Sequence, residues 1–350
     1  MDELYTIEKC IIHAKKNTKK LNVKSIYTIL NKIYTNERIT IDRISTICNI
    51  INKNIKQLDK LKKISIIEQR SPEWYAMREN MITASDFAQA LGHGKFGTVK
   101  DLIKKKCGYE SNTFNSNCPP LKWGIMYEPI AQLIYSIRHN VKIHEFGLLQ
   151  HPNISYFGAS PDGISELGVM LEIKCPYRRK IDGTIPEQYY YQIQGQLEVC
   201  DLDCCDYLEC QFVEYQYASE FWSDDNWSSM FNEKGIVIEC NGENESSTYM
   251  YSGIYMKKEE LSKWCDDMIK QCTNSNTEYF IHYWILDLYS VQRINRNKEF
   301  FKSEIEKLND TWIDVIKFRN NKTLYDDFIK KKTIKKTKTE SPFLIQNIED

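Results

Sequence analysis

The chain has 350 residues, 42% of them hydrophobic and 12% aromatic, with a formal net charge of −1. That length suggests one large domain with additions or two domains, and the composition excludes a wholly disordered chain. No apolar run reaches the roughly 18 residues of a membrane helix, and MDELYTIEKCIIHAKK has no long apolar stretch before a small-residue cleavage site. A soluble intracellular protein with no membrane contact is expected, its 12 cysteines reduced. The near-neutral total hides an asymmetry. Residues 1–66 carry 14 Lys+Arg against 6 Asp+Glu, a balance of +8, which leaves the remainder at −9. A basic arm on an acidic body suits either a locally met polyanion or a solvated helical face.

In chain order, residues 1–66 read as a small module of short helices, with apolar positions three and four apart at Ile26, Leu30 and Ile33, then Ile41, Ile44 and Cys48. Ser71-Pro72 is a helix start, and Thr83-Ala84-Ser85-Asp86 is another, its hydroxyls and acid suited to the free amides of a first turn. The Lys-, Cys- and Asn-rich run from Lys104 to Pro120 is expected to be a loop. Trp123, Tyr127, Ile130, Ile134 and Ile137 then mark the buried face of a helix that Pro129 should kink or restart. From Val141 to Cys175 the period changes to short strands, 187–200 returns to helix, and 205–217 and 235–256 are expected strands around a polar, Trp-containing insertion. Helices at 258–272 and around Phe301, Ile305, Leu308, Trp312 and Val315 follow, then a Lys-rich tail from 330.

The chemistry gathers in the β region. In Val169 to Cys175, alternation places Leu171, Ile173 and Cys175 on one face and Met170, Glu172 and Lys174 on the other. Asp162 lies in a Pro-Asp-Gly turn, and an antiparallel return through Ser165 to Gly168 would bring it near Glu172. Two carboxylates with a neighbouring Lys suit a hard divalent cation that activates water, although this spacing alone describes a charged surface hairpin more often. Glu128 has Gly124 and Ala131 as same-face neighbours, which leaves room beside its carboxylate. Gln188, Gln192 and Gln196 line one side of the 187–200 helix, away from a stripe of Tyr189, Ile193, Leu197 and Cys200. Arg78 close to Thr83 and Ser85 makes either an anion site or an ordinary cap with a surface Arg.

Taken together, Arg70-Ser-Pro-Glu-Trp74, Arg78, Ile82-Thr-Ala-Ser85, Trp123-Gly124-x-x-x-Glu128, Gly158-x-Ser-Pro-Asp162-Gly, Glu172-Ile-Lys174-Cys-Pro and Tyr191-Gln192-Ile-Gln194 resemble, in order, the phage lambda-type exonucleases. These are also called YqaJ-like viral recombinases, of the PD-(D/E)XK nuclease superfamily. The resemblance spans about residues 67–215 and looks nearest to the versions in large cytoplasmic DNA viruses. It implies an α/β restriction-endonuclease-like core with a mixed central sheet flanked by helices, within a nuclease domain over 67–329. It also implies Mg²⁺-dependent hydrolysis of double-stranded DNA from its ends, 5′ to 3′, in viral recombination, repair or replication in host cytoplasm, with Mn²⁺ able to substitute. Carried over by position, Asp162 and Glu172 would bind the metal with Glu128 and the Ile173 carbonyl. Lys174 would act on the water, Gln192 would help place it, and Arg78, Ser85, Thr83 and Gln194 would hold phosphate or DNA. A single-strand annealing or binding protein and a homo-oligomer are the implied protein partners. Some related nucleases carry an iron–sulfur cluster, but Cys200, Cys204, Cys205 and Cys210 lack the usual spacing and none is expected here. A structure-specific or restriction-like endonuclease and a catalytically silent DNA-binding factor stay open beside the exonuclease.

Overall fold

The structure, a computed structural model, describes residues 7–12, 23–33, 40–64, 67, 69, 71–109, 118–241 and 247–330; the side chains of 25 and 31–33 are not among them. Ile33, Arg70 and the tail beyond 330 therefore lie outside what can be compared with expectation.

A seven-stranded mixed sheet organises the chain, in the order β2-β5-β6-β7-β10-β8-β9. Its members are β2 (Ile143–His144), β5 (Gly163–Ser165), β6 (Met170–Lys174), β7 (Cys204–Glu214), β8 (Lys234–Asn241), β9 (Ser247–Tyr251) and β10 (Tyr279–Asn295). Within this sheet, among the described residues, β6 and β7 alone pair in parallel, joined through a crossover helix. A second sheet of three short strands, β1 (Ile82–Thr83), β4 (Phe157–Ala159) and β3 (Leu149–Gln150), stands beside it. The expected mixed sheet flanked by helices is present.

Helices cover both faces. Residues 7–12 (α1), α2 (Val23–Ile33), α3 (Ile41–Leu61) and α7 (Pro119–His139) share one core cluster with Leu171, Ile173, Cys175, Leu208 and Phe212 of the sheet. On the other face α5 (Ala84–Ala90), α8 (Glu187–Cys200) and α11 (Lys298–Arg319) pack on Met170, Cys205 and Tyr207. Removing this apolar area from water, at roughly 25 cal/mol per Å², is what holds the layers together. Satellite clusters join α9 (Ala218–Ser223) and α10 (Lys258–Asn274) to β8, and α6 (Val99–Cys107) and α12 (Lys322–Lys330) to α11.

The basic amino-terminal helices lie against this body. Gln57 donates to the Cys200 carbonyl at 2.9 Å, Lys53 pairs with Asp203 at 2.6 Å, and Glu8 accepts from Arg293 of β10 at 2.9 Å. Ile26, Leu30, Ile44 and Cys48 are buried as their spacing predicts, whereas Ile41 at the start of α3 is exposed.

Several elements differ from expectation for local reasons. The Lys104–Pro120 loop is shortened at both ends: α6 runs to Cys107 from a capping box between Thr98 and Asp101, and α7 begins at Pro119. Pro129 sits inside α7 without ending it, and Ile137 on the last turn is exposed. The longest strand, β10, was absent from the reading of the sequence. It pairs with β8 from Tyr279 to Ile285 and with β7 from Trp284 to Asn295, so among the described residues the two strand groups expected around the insertion meet through it.

Candidate active site

The chain changes sheets at Ser160-Pro161-Asp162. β4 belongs to the small sheet, and β5, immediately after Asp162, begins the hairpin with β6, with Gly163 opposite Leu171. The strand before Asp162 therefore does not pair with the strand of Glu172, as a simple hairpin would have it; the strand after it pairs with β6 through Leu171 and Met170. Gly168, with φ +74°, supplies the left-handed residue of the return turn. Asp162 Oδ2 accepts the Ile173 amide at 2.7 Å, which pins its carboxylate beside Glu172. Gln132 of α7 donates to the Asp162 carbonyl at 3.0 Å and ties the helix that carries Glu128 to this turn. Burial raises the Asp162 carboxyl well above the usual carboxylate range, and the charges of Glu172 and Glu128 add to it.

Glu172 is fully buried, with both carboxylate oxygens engaged. Its Oε1 accepts from Lys174 Nζ and from Gln192 Nε2 at 2.7 Å, while Oε2 accepts from Gln196 Nε2 at 2.7 Å. Burial works to depress the Lys174 ammonium, but Glu172 and then Asp162 overcome it and raise its pKa. Lys174 Nζ also lies 5.0 Å from the centre of the Tyr189 ring. The sheet alternation holds, since Leu171, Ile173 and Cys175 enter one core while Met170 enters the other.

The four glutamines of α8 separate. Gln192 and Gln196 reach Glu172, and Gln188 makes no side-chain hydrogen bond among the described residues. Gln194 is a correction: it is buried, donates to the Asn295 carbonyl at 3.0 Å and accepts from the Asn297 amide at 2.7 Å. It fastens the end of β10 to α8 and is turned away from Glu172, because residues two apart on a helix lie on opposed faces. Gln196 was named on the glutamine face but not as part of the site; its spacing of four from Gln192 was the available sign.

Arg78, Thr83 and Ser85 meet as expected. Arg78 closes α4 (Pro72–Glu79), whose Ser71 cap accepts from the Trp74 amide at 3.2 Å. Its guanidinium lies 4.3 Å over the Trp74 ring and donates to Ser85 Oγ at 3.3 Å, and Thr83 and Ser85 hydroxyls are 2.9 Å apart. The cap at Thr83 differs from the expected one: Thr83 bonds Asp86 at 3.0 Å and makes no side-chain bond to a helix amide. Buried Asp86 pairs with Lys105 at 3.2 Å and Lys106 at 3.0 Å, two cations that the loop reading missed. Burial works to raise the Asp86 carboxyl, but Lys106, Lys105 and Arg78 hold it well below the carboxylate range; burial pushes Lys106 down to about 8. Three cations against one carboxylate make this corner attractive to an anion, and exposed Ser85 is its open side. Trp74 Nε1 donates to Ser160 Oγ at 3.2 Å and β1 pairs with β4 beside the Asp162 turn, so the corner borders the carboxylates.

The donor set fits a hard cation. Asp162 and Glu172 are carboxylates forced together with Glu128 in range, and Mg²⁺ characteristically takes one or two carboxylates and completes its shell with water and substrate oxygens. Among the described residues no three His, Cys, Asp or Glu side chains already close around a cation position. The cysteines divide between layers: Cys204 and Cys210 face one core cluster, and Cys200 and Cys205 the other.

Asp162 and Glu172-Ile173-Lys174 thus meet at one end of this mixed sheet. Residues 73–203 match the model of the YqaJ-like viral recombinase domain. The chain is 32% identical over 325 residues to Uncharacterized protein R354 of Acanthamoeba polyphaga mimivirus, covering 80% of this chain and 58% of that protein. It is 25% identical over 162 residues to a protein of African swine fever virus, covering 37% of this chain and 46% of that protein. The chain thus spans about half the length of the curated relatives it matches. Among solved structures it is similar to an alkaline exonuclease (LHK-Exo) from Laribacter hongkongensis, with TM-score 0.45 and 18% identity over 74% of this chain and 100% of that one. A phage related exonuclease from Haemophilus somnus 129PT gives TM-score 0.38 and 13% identity over 71% and 95%. No helix among the described residues is long and apolar enough to cross a membrane.

Proposed function

We propose, from a chain whose residues 73–203 form a YqaJ-like viral recombinase domain, that this protein is a Mg²⁺-dependent exonuclease. It hydrolyses double-stranded DNA from its ends, 5′ to 3′, for viral recombination, repair or replication. The observation that carries the reading is the convergence of Asp162, Glu172 and Lys174, with Arg78 and Ser85 at the bordering corner.

Asp162, Glu172 and Glu128, with the Ile173 carbonyl, would hold the metal. When bound, the metal lowers the pKa of a water and stabilises charge on the scissile phosphate. The chain's own groups do the rest. Gln192 and Gln196 hold the Glu172 carboxylate in one orientation, and the Ile173 amide does the same for Asp162. The Lys174 ammonium offers two more donors beyond its bond to Glu172, which suits it to orient the attacking water and offset developing negative charge. Arg78 and Ser85 take the terminal 5′-phosphate, which sets the strand end at a fixed distance from the carboxylates.

The test is one linear duplex labelled at either end, with and without a 5′-phosphate, beside its closed-circular form, in Mg²⁺ and in EDTA. Early release of the 5′ label from linear DNA alone, in Mg²⁺ alone, is expected. Cutting of the circle would replace the reading with an endonuclease, and no cutting would leave a DNA-binding factor.

A further inference from the structure

The loop 91–98, Leu-Gly-His-Gly-Lys-Phe-Gly-Thr, carries Phe96 at 83% exposure, more than any other large apolar side chain among the described residues. Exposing a phenyl ring is unfavourable, and the described residues leave this one open to solvent, with Lys95 Nζ 5.6 Å from its centre. The loop is nonetheless tightly built. Gln89 threads beneath it and donates to the Thr98 carbonyl at 2.9 Å. A Cβ at Gly94 would come within 2.5 Å of the Gly97 carbonyl oxygen, and one at Gly97 within 2.5 Å of Gln89 Nε2. His93 stacks on Tyr191 of α8 at 5.1 Å and meets Glu187 at 3.2 Å, so the loop is braced on the turn of α8 that presents Gln192 to Glu172. Three residues of chain span at most about 11 Å, which keeps Phe96 beside that turn.

The surroundings favour a polyanion. Residues 95–107 hold five lysines and one acid, and Lys105 and Lys106 close the corner that contains Arg78 and Ser85. We propose that Phe96 is a stacking platform for the nucleobase at the end of the DNA substrate, with Lys95 against the adjoining phosphate. This rests on the exonuclease reading and adds to it how an end is told from continuous duplex: only a terminal or frayed base offers its face to a ring. Stacking of one base on an aromatic side chain corresponds to about a tenfold gain in affinity.

The experiment uses the full chain and its Phe96→Ala and Phe96→Trp variants with a 5′-phosphorylated duplex carrying 2-aminopurine at the terminal position, in EDTA so that it stays whole. The wild type should quench the terminal fluorophore on binding, Phe96→Trp should keep the quench, and Phe96→Ala should lose it and bind about tenfold more weakly. All three should bind alike to a duplex closed by hairpins at both ends. Equal quenching and affinity in Phe96→Ala would overturn the assignment. Digestion of the same duplex by the wild type in Mg²⁺ runs alongside: if it digests and Phe96→Ala behaves identically, the platform fails alone, and if it does not digest, the exonuclease reading fails first.

Discussion

Gln196→Leu isolates what holds the buried Glu172 carboxylate. Gln196 is 1% exposed, and among the described residues its Nε2 is the only side-chain donor to Glu172 Oε2, at 2.7 Å, whereas Oε1 has both Gln192 and Lys174. Leucine keeps most of the volume and removes the donor. A hydrogen bond to a charged group contributes about 1.5–3 kcal/mol. Gln196 Oε1 is itself buried without a partner, so its removal offsets about 1 kcal/mol. The net loss is about 0.5–2 kcal/mol. With about 2.1 cal/mol/K of unfolding entropy per residue over 350 residues, Tm should fall by about 1–3 °C in EDTA. Cleavage should fall further, by about 10- to 100-fold, because the Glu172 carboxylate would no longer be held in the orientation proposed for holding the metal. Gln192→Leu should cost less stability, since Oε1 keeps Lys174. Differential scanning calorimetry and initial rates across Mg²⁺ concentrations give both numbers. Full activity with unchanged Mg²⁺ dependence in Gln196→Leu would refute the claim that this clamp matters.

Asp162→Asn and Glu172→Gln should lower cleavage by more than the roughly 100-fold expected for losing a supporting partner, while circular dichroism shows a folded chain; wild-type rates in either would remove the site. Arg78→Ala should erase a preference for 5′-phosphorylated ends, a loss of about 10- to 100-fold in kcat/KM on phosphorylated DNA with little change on hydroxyl ends. His282 lies between Glu214 at 3.1 Å and Glu239 at 3.2 Å; burial works to lower its pKa, but the two carboxylates raise it. The folded protein then keeps a proton that the unfolded chain releases near pH 6.5, so this stabilisation is complete below that pH and fades as pH rises through the folded value. Replacing it, as His282→Gln, should flatten the decline of Tm above about pH 6.5, and an unchanged slope would show that the histidine does not report it.

Much of the site was legible because it depends on short-range rules. Strand alternation around Glu172 and the turn chemistry of Pro-Asp-Gly act over a few residues, and they correctly place Asp162, Glu172 and Lys174 together. Helix geometry also separates Gln192 from Gln194, although the latter's role at Asn295 needs a strand that was not recognised. Lys105 and Lys106 were hidden because Lys- and Cys-rich composition outweighed the Thr98 and Asp101 capping box just upstream. β10 was missed although Tyr279 to Asn295 is rich in aromatic and β-branched residues. Its partners lie about 70–90 and 40–50 positions earlier, and periodicity carries no information about such pairing.

The position of β10 also governs how the molecule can be made. β7 leaves the ribosome with one edge ready for β6 and the other waiting for a strand about 75 residues further on, roughly 4–15 s of synthesis at about 5–20 residues per second. During that interval the open edge is a template for any passing strand. Arg293, which pairs with buried Asp206 on β7 and with Glu8, arrives last. A nascent or truncated chain ending before it lacks the guanidinium that Asp206 and Glu8 share in the folded protein, so the sheet depends on a strand made long after β7.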